Sequence, residues 1–245
     1  MKNTYLKFAA IILAFAAAFA VPATTAAAQT RAPKDDASDA RVRAPLNLAV
    51  LIQDDLVSRV GNEIKTTAAF IRELPEGSQV MVGYLRAGSL QVRQPFTSDL
   101  DAAARSLRVP VGSSSVAPYN PYVEVREALK HFPEGGGNRN TLLLISDGLD
   151  VSRGFDFSSS VQSIDLERAV REAKRRNVAV YAFYAPTAGL TSWNRTAVSF
   201  GQSALTHISD KTGGRAFFQG TSFVTFDSYF DRLSRALNER GAGAY

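Results

Sequence analysis

The sequence predicts an α/β protein: a doubly wound, mainly parallel central sheet of about six strands, helices on both faces, and one antiparallel edge strand. Three observations predict this. The runs "LNLAVLI" (46–52), "TLLLISDG" (141–148) and "VAVYAFYA" (178–185) are nearly continuously apolar, as strands covered on both faces are. Segments with apolar residues at helical spacing alternate with these strands, which is the order of βαβ units. "SLQVRQPF" (89–96) instead alternates apolar and polar residues, the pattern of a half-exposed edge strand.

The elements follow in order. After the first strand, Val60, Ile64, Ala68, Ile71 and Leu74 recur at helical spacing within 57–74, and "PEGS" turns the chain. "QVMVGYLRA" (79–87) is a second strand, and the edge strand follows it. "TSDLDAAARSL" opens a helix with a capping residue and acids in its first turn. A long irregular stretch, "RVPVGSSSVAPYNP" (108–121), precedes the helix "YVEVREALKHF", and "PEGGGNRN" turns into the strand at 141–148. "DLERAVREAKRRN" is amphipathic, and its basic group Arg171, Lys174, Arg175 and Arg176 sits at the end where cations favour the helix dipole. Past the strand at 178–185 and the loop "PTAGLTSWNR", a helix beginning near Ser199 is stopped by Gly213 and Gly214. "RAFFQG" is a last strand, and 223–240 a closing helix.

The organisation expected is a signal peptide (1–28), a flexible leader (29–43), one domain (44–240) and a short tail (241–245). "MKNTYLK", the apolar run "FAAIILAFAAAFAV" and the small residues of "PATTAAAQ" have the three-part layout of a secretory signal, with cleavage after Ala28. A retained anchor is the competing reading, but this run is short beside the roughly 20 residues needed to span a bilayer. The mature protein is therefore expected to be secreted or periplasmic, with no stable membrane insertion. The formal net charge of +5 falls to +3 when Lys2 and Lys7 are removed, and the basic residues are scattered. Nucleic acid, which needs clustered charge, is not the expected partner. The absence of cysteine excludes thiol nucleophiles, thiolate zinc sites and iron–sulfur clusters.

In an open α/β sheet, ligands bind beyond the carboxyl ends of the strands, where the strand order reverses. Two strands end there in acids: Asp54 and Asp55 after the first, Asp147 and then Asp150 after the fourth. If those strands are neighbours, the acids converge, and packed like charges need a cation, a basic partner or solvation. Gln53 and Ser58 complete the candidate crevice.

The motifs "LAVLIQDDLVS", "LLLISDG", "VAVYAFYAP" and "DKTGGRAFF", in this order across 46–237, resemble a von Willebrand factor type A (VWA) domain, and more narrowly the secreted bacterial proteins described as VWFA-related. The resemblance implies a metal-ion-dependent adhesion site at this crevice, built from Asp-x-Ser-x-Ser, a Thr from a later loop and an Asp from the fourth strand. Mg²⁺ suits such a site, as a hard ion taking octahedral oxygen ligands. Carried over position by position, the first Asp is Gln53, the first Ser is Asp55, the second Ser is Val57, and the later Asp is Asp147. Sliding by one residue gives Asp54-x-Leu56-x-Ser58, which spoils the middle ligand instead, and the stretch Ser113–Asn120 offers no threonine. The adhesion site is therefore expected to be degenerate. Asp55 and Asp147 are the metal-ligand candidates if Mg²⁺ or another divalent cation binds at all.

No enzyme constellation is found. "QDD" lacks the Asp-x-Asp spacing of a dehalogenase-like phosphatase, and there is no Gly-x-Ser-x-Gly elbow. "GGG" and "KTGG" are not phosphate loops, acids after the first strand would repel a dinucleotide, and His131 and His207 stand outside any motif. The function expected is an exported, non-enzymatic binding module for a protein or cell-surface ligand. Its loops carry Tyr119, Tyr122, Phe155, Phe157 and Trp193, residue types that binding surfaces favour. The alternatives are an envelope-assembly component with no crevice ligand, and a cation-dependent adhesion domain with rearranged ligands.

Overall fold

The computed structural model describes residues 41–135, 137–155, 163–218 and 225–242. The expected signal peptide, residues 29–40 of the leader, Phe157 and residues 243–245 of the tail lie outside them. Among the described residues six strands form one sheet: β1 (Leu46–Gln53), β2 (Gln79–Arg86), β3 (Ser89–Thr97), β4 (Arg139–Ser146), β5 (Val178–Tyr184) and β6 (Ala216–Phe217), in the order β3-β2-β1-β4-β5-β6. All neighbours are parallel except β2 and β3. The antiparallel edge strand is thus the one whose sequence alternates. β1 pairs Ile52 with Tyr84 on one side and Ile145 on the other, so the strand order reverses between β1 and β4. That is where the crevice of a doubly wound sheet opens.

Alternate residues of the central strands feed two cores. Leu48, Val50, Ile52, Val82 and Phe183 face helices α1 (Glu63–Arg72), α2 (Leu100–Ser106) and α6 (Asp227–Ala242). Ala49, Leu51, Met81, Leu142 and Leu144 face α3 (Pro121–Leu129), α4 (Ile164–Arg175) and α5 (Arg195–Thr212). Each such side chain taken fully out of water stabilises the fold by roughly 1.5–3 kcal/mol. Phe183 packs against Phe226, Tyr229 and Phe230 at centroid distances of 5.4, 5.3 and 5.0 Å, fixing α6 to the sheet.

Several boundaries differ from the sequence reading, each for a local reason. The first helix starts at Glu63, after a 3-10 turn at Ser58–Asn62. Its expected start is unavailable because Leu56 bridges Thr187 and the Val57 amide donates to the Pro186 carbonyl at 3.0 Å. α5 starts at Arg195 rather than Ser199, since the Asn194 side chain caps it by accepting from the Ala197 amide at 3.0 Å. β4 ends at Ser146: the Gly148 amide turns back to the Ser146 hydroxyl at 2.9 Å, and Gly148 adopts a left-handed φ of 72°. β6 is two residues long and pairs with β5 alone. α6 begins at Asp227 and runs to Ala242, into the expected tail.

At the crevice, Gly201 of α5 lies so close to the Asp147 carbonyl that an added Cβ would come within 2.0 Å of it. The absence of a side chain there lets α5 pack against the end of β4, which sets the position of Asp147.

Candidate functional site

Gln53 ends β1 and Asp147 follows β4, side by side at the switch point. The Gln53 amide spans the two strands. Its Nε2 donates to Asp147 Oδ1 at 3.2 Å, and its Oε1 accepts from the Ser146 hydroxyl and, at 3.4 Å, from the Asp147 amide. Asp147 Oδ1 also accepts from the Leu149 amide at 3.1 Å. Its Oδ2 accepts from the hydroxyls of Thr187 (3.1 Å) and Thr191 (3.0 Å). Burial pushes the Asp147 carboxyl above the usual range, opposed by the donors from Leu149, Thr191, Gln53 and Thr187.

Asp54 points away from this cluster. Fully buried, it accepts two bonds from Arg108, at 2.6 and 2.8 Å, one from Arg86 at 3.3 Å and one from the Val111 amide at 3.1 Å. The fork-on-fork pairing with Arg108 is the strongest form of carboxylate recognition. Arg108 is held in turn by Tyr84: its guanidinium lies 4.0 Å from the ring centroid, and its backbone exchanges two hydrogen bonds with the phenol. Asp54 therefore anchors the loop that follows α2.

Asp55 does face the cluster, and it is buried with Oδ1 lacking any hydrogen-bond partner. Burial, reinforced by Asp147, pushes its carboxyl up to about 7. Glu124, in the first turn of α3, is a further buried acid. Burial pushes it up to about 8, with the Gly88 amide opposing and Asp55 adding. Asp150 does not join them. It accepts from the Ser152 amide (3.0 Å) and hydroxyl (2.6 Å) in a local turn. Ser58 opens the 3-10 turn, and its side chain lies outside the described structure.

The structure thus brings Gln53, Asp55 and Asp147 together and sends Asp54 and Asp150 elsewhere. Sequence reasoning missed Glu124, Thr187, Thr191 and Arg108. The threonines sit in a loop of turn-forming residues, and only the strand order places them over Asp147. Glu124 reads as a solvated helix position, yet Asn120 caps α3 and the helix start is covered.

These residues do not fit an octahedral hard cation, which takes six oxygens with free lone pairs. Both Asp147 oxygens and the Gln53 carbonyl are occupied by protein donors, Asp54 is neutralised by arginine, and Val57 offers no ligand. Among the described residues, no group of three His, Cys, Asp or Glu is placed to hold a metal ion.

Around the crevice, the exposed large hydrophobics of the described residues are Val109, Val111, Tyr119, Val123, Ile164 and Trp193. All lie in loops or first helical turns at the carboxyl edge of the sheet. Their loops are tied into one surface. The Gly112 amide donates to the Asp54 carbonyl (3.1 Å), Ala188 to Asp55 (2.8 Å) and Val151 to Tyr119 (2.7 Å). Tyr119 is 59% exposed and adopts a left-handed φ of 57°, a conformation a bulky residue keeps only where its surroundings impose it. Trp193 is 72% exposed. Tyr122, expected on this surface, is instead buried, its hydroxyl donating to the Gly148 carbonyl at 2.6 Å. Phe155 packs against Phe200 at 5.7 Å.

Two crystal structures share the fold. An aerotolerance-related membrane protein from Bacteroides fragilis NCTC 9343, with multiple mutations to serines, aligns at 12% identity and TM-score 0.54 over 79% of this chain and 99% of its own. The conserved hypothetical protein BatB from Bacteroides thetaiotaomicron aligns at 15% identity and TM-score 0.54, covering 82% and 100%. The SpRpn10 VWA domain aligns at 16% identity and TM-score 0.47, covering 80% and 95%. No family model matches the chain, and no curated protein does.

Proposed function

From a VWA-like fold with its exposed apolar residues gathered at one edge, we propose that this protein is an exported, non-enzymatic binding module. It recognises a protein or cell-surface ligand through the loops at the carboxyl edge of the sheet, without a divalent cation. The observation that carries this reading is the placement of Val109, Val111, Tyr119, Val123, Ile164 and Trp193 on that edge. Aromatic anchors within an apolar patch are what protein recognition uses. The filled hydrogen bonds of Gln53 and Asp147 favour recognition by shape and apolar contact. Export, to the periplasm or beyond the cell, rests on the signal-like residues 1–28. No helix among the described residues is long and apolar enough to cross a membrane.

One observation favours a second reading, a cation-dependent adhesion site: the buried, unpartnered Oδ1 of Asp55.

Trp193 is the single tryptophan of the chain and reports directly on the proposed surface. Partners captured from the exported-protein fraction are expected to shift its emission to shorter wavelength and shield it from acrylamide. Tyr119→Ser with Val111→Ser is expected to weaken capture at least tenfold and to leave stability within about 0.5 kcal/mol, as for exposed positions. Capture that survives this double variant and leaves Trp193 fully quenchable would reject the carboxyl edge as the binding face, and an envelope-assembly role through another surface would then lead.

A further inference from the structure

The carboxyl edge carries a charge that its own residues leave unbalanced. Arg86 ends β2 at that edge, one residue beyond Leu85, which pairs with Gln53. Its Nη1 reaches Asp54 Oδ2 at 3.3 Å, where Arg108 is already seated through Nη1 on Oδ1 (2.6 Å) and Nη2 on Oδ2 (2.8 Å). With the Val111 amide on Oδ1 at 3.1 Å, each carboxylate oxygen accepts two hydrogen bonds. That fills the roughly four lone-pair sites a carboxylate offers. One buried negative charge therefore holds two guanidiniums, and one positive charge is left over. Among the described residues, no other carboxylate comes within ion-pair distance of Arg86 or Arg108.

The surplus charge is open to a partner. The Arg86 side chain is 36% exposed and that of Arg108 27%, whereas Asp54 has no exposed side-chain surface. A guanidinium has five N–H donors, and among the described residues Asp54 engages one of those on Arg86. Two exposed valines flank the arginines. The Val109 carbonyl accepts from Arg108 Nη1 at 3.1 Å, and the Val111 amide donates to Asp54. The arrangement is also held in place before anything binds. The ring and phenol of Tyr84 fix Arg108, and the Ser89 hydroxyl donates to the Arg86 carbonyl at 2.9 Å. The Ala87 amide donates to the Val116 carbonyl at 3.0 Å, which ties the turn after β2 to the loop bearing the valines. Donors already positioned lose little freedom on meeting an acceptor.

We propose that Arg86, supported by Arg108, receives a carboxylate of the partner, so that the face recognises an acidic protein segment whose Asp or Glu stands beside an apolar side chain. This assignment rests on the carboxyl-edge reading and names the chemistry of its partner. The acid meets the open donors of Arg86, in the paired geometry that arginine offers carboxylates. The apolar neighbour covers Val109 and Val111. A single carboxylate balances the one surplus charge.

A random peptide library displayed on phage is selected on the full chain, and the most enriched peptide is synthesised with a fluorescent label for anisotropy titration. Enriched sequences are expected to combine Asp or Glu with an adjacent apolar residue. Changing that acid to its amide in the synthetic peptide is expected to weaken binding at least tenfold to the wild type and less than twofold to Arg86→Gln. Such a difference is the mark of a coupled pair across an interface. Arg86→Gln keeps the fold because Arg108 still holds Asp54, and melting of the variant verifies it. Arg171→Gln removes the same charge from an exposed position on α4 and is expected to bind the peptide as the wild type does. Enrichment of basic or uncharged sequences, no enrichment, or an amide penalty equal in the wild type and Arg86→Gln overturns the proposal. Tyr119→Ser with Val111→Ser separates that failure from failure of the carboxyl-edge reading. Peptides weakened by this double variant but needing no acid overturn the charge assignment and leave the edge as the binding face. Peptides indifferent both to the double variant and to Arg86→Gln overturn the two together.

Discussion

Arg108→Gln is expected to lower the unfolding free energy by about 3 kcal/mol, the lower end of the roughly 3–5 kcal/mol found when one member of a buried ion pair is removed. Asp54 has no exposed side-chain surface, so losing the bidentate guanidinium strands a carboxylate out of water. Arg86 remains at 3.3 Å and limits the loss. The same change removes the cation over the Tyr84 ring, which adds a smaller penalty. Asp54→Asn in the Arg108→Gln background is expected to recover part of the stability, because the stranded charge is gone. A double-mutant cycle by urea denaturation measures this directly. A loss in the double variant equal to the sum of the two single losses would show that Asp54 and Arg108 do not act as a pair.

The second large effect is a dependence on pH opposite to that of most proteins. Asp55 and Glu124 are pushed up from 3.8 and 4.5 to about 7 and about 8. An acid whose folded value lies above its unfolded value holds its proton longer in the native state. The native state therefore binds more protons than the unfolded chain between the two values, and stability falls as pH rises through that window. The window runs from about pH 4 to 7 for Asp55 and from about 4.5 to 8 for Glu124. Each group acting alone contributes a slope of at most about 1.4 kcal/mol per pH unit. Asp147 shifts in the same direction. Glu172 shifts the opposite way, to about 2, so its stabilisation is present above 4.5 and lost only as pH falls toward 2. Between pH 5 and pH 8 the buried acids therefore dominate, and the melting temperature is expected to fall across that range. Asp55→Asn and Glu124→Gln are each expected to flatten the profile and to raise stability at pH 8. A melting temperature that rises from pH 5 to pH 8 would contradict the account.

Much of this architecture is written in local sequence. Strands buried on both faces read as unbroken apolar runs, the edge strand β3 alternates, and Gly213 marks a helix end at the position where it acts, whereas the Asn194 cap is hidden in a loop of turn-forming residues. The approximate location of the crevice also follows, because β1 and β4 both end in acids and the alternation of elements implies a switch point. The roles of the acids do not follow. Asp54 and Asp55 are adjacent and alike in sequence, but one meets two arginines brought from β2 and the loop after α2, and the other meets none. That difference depends on contacts separated by dozens of residues, which no local pattern encodes. Thr187 and Thr191 are hidden for the same reason. Tyr122 and Tyr119 lie three residues apart, and the buried hydrogen bond from Tyr122 to Gly148 decides which of them faces solvent.

On the proposed reading, Gln53, Ser146, Thr187 and Thr191 occupy the hydrogen-bonding capacity a cation would need, leaving recognition to the apolar edge. Calorimetric titration of the protein with Mg²⁺, Mn²⁺ and Ca²⁺, with melting measured alongside in each ion and in chelator, tests it most directly. The account predicts no binding heat and one melting temperature throughout. Saturable heat at micromolar to low-millimolar cation, abolished in Asp55→Ala and in Asp147→Ala, would contradict it and establish a working site with rearranged ligands.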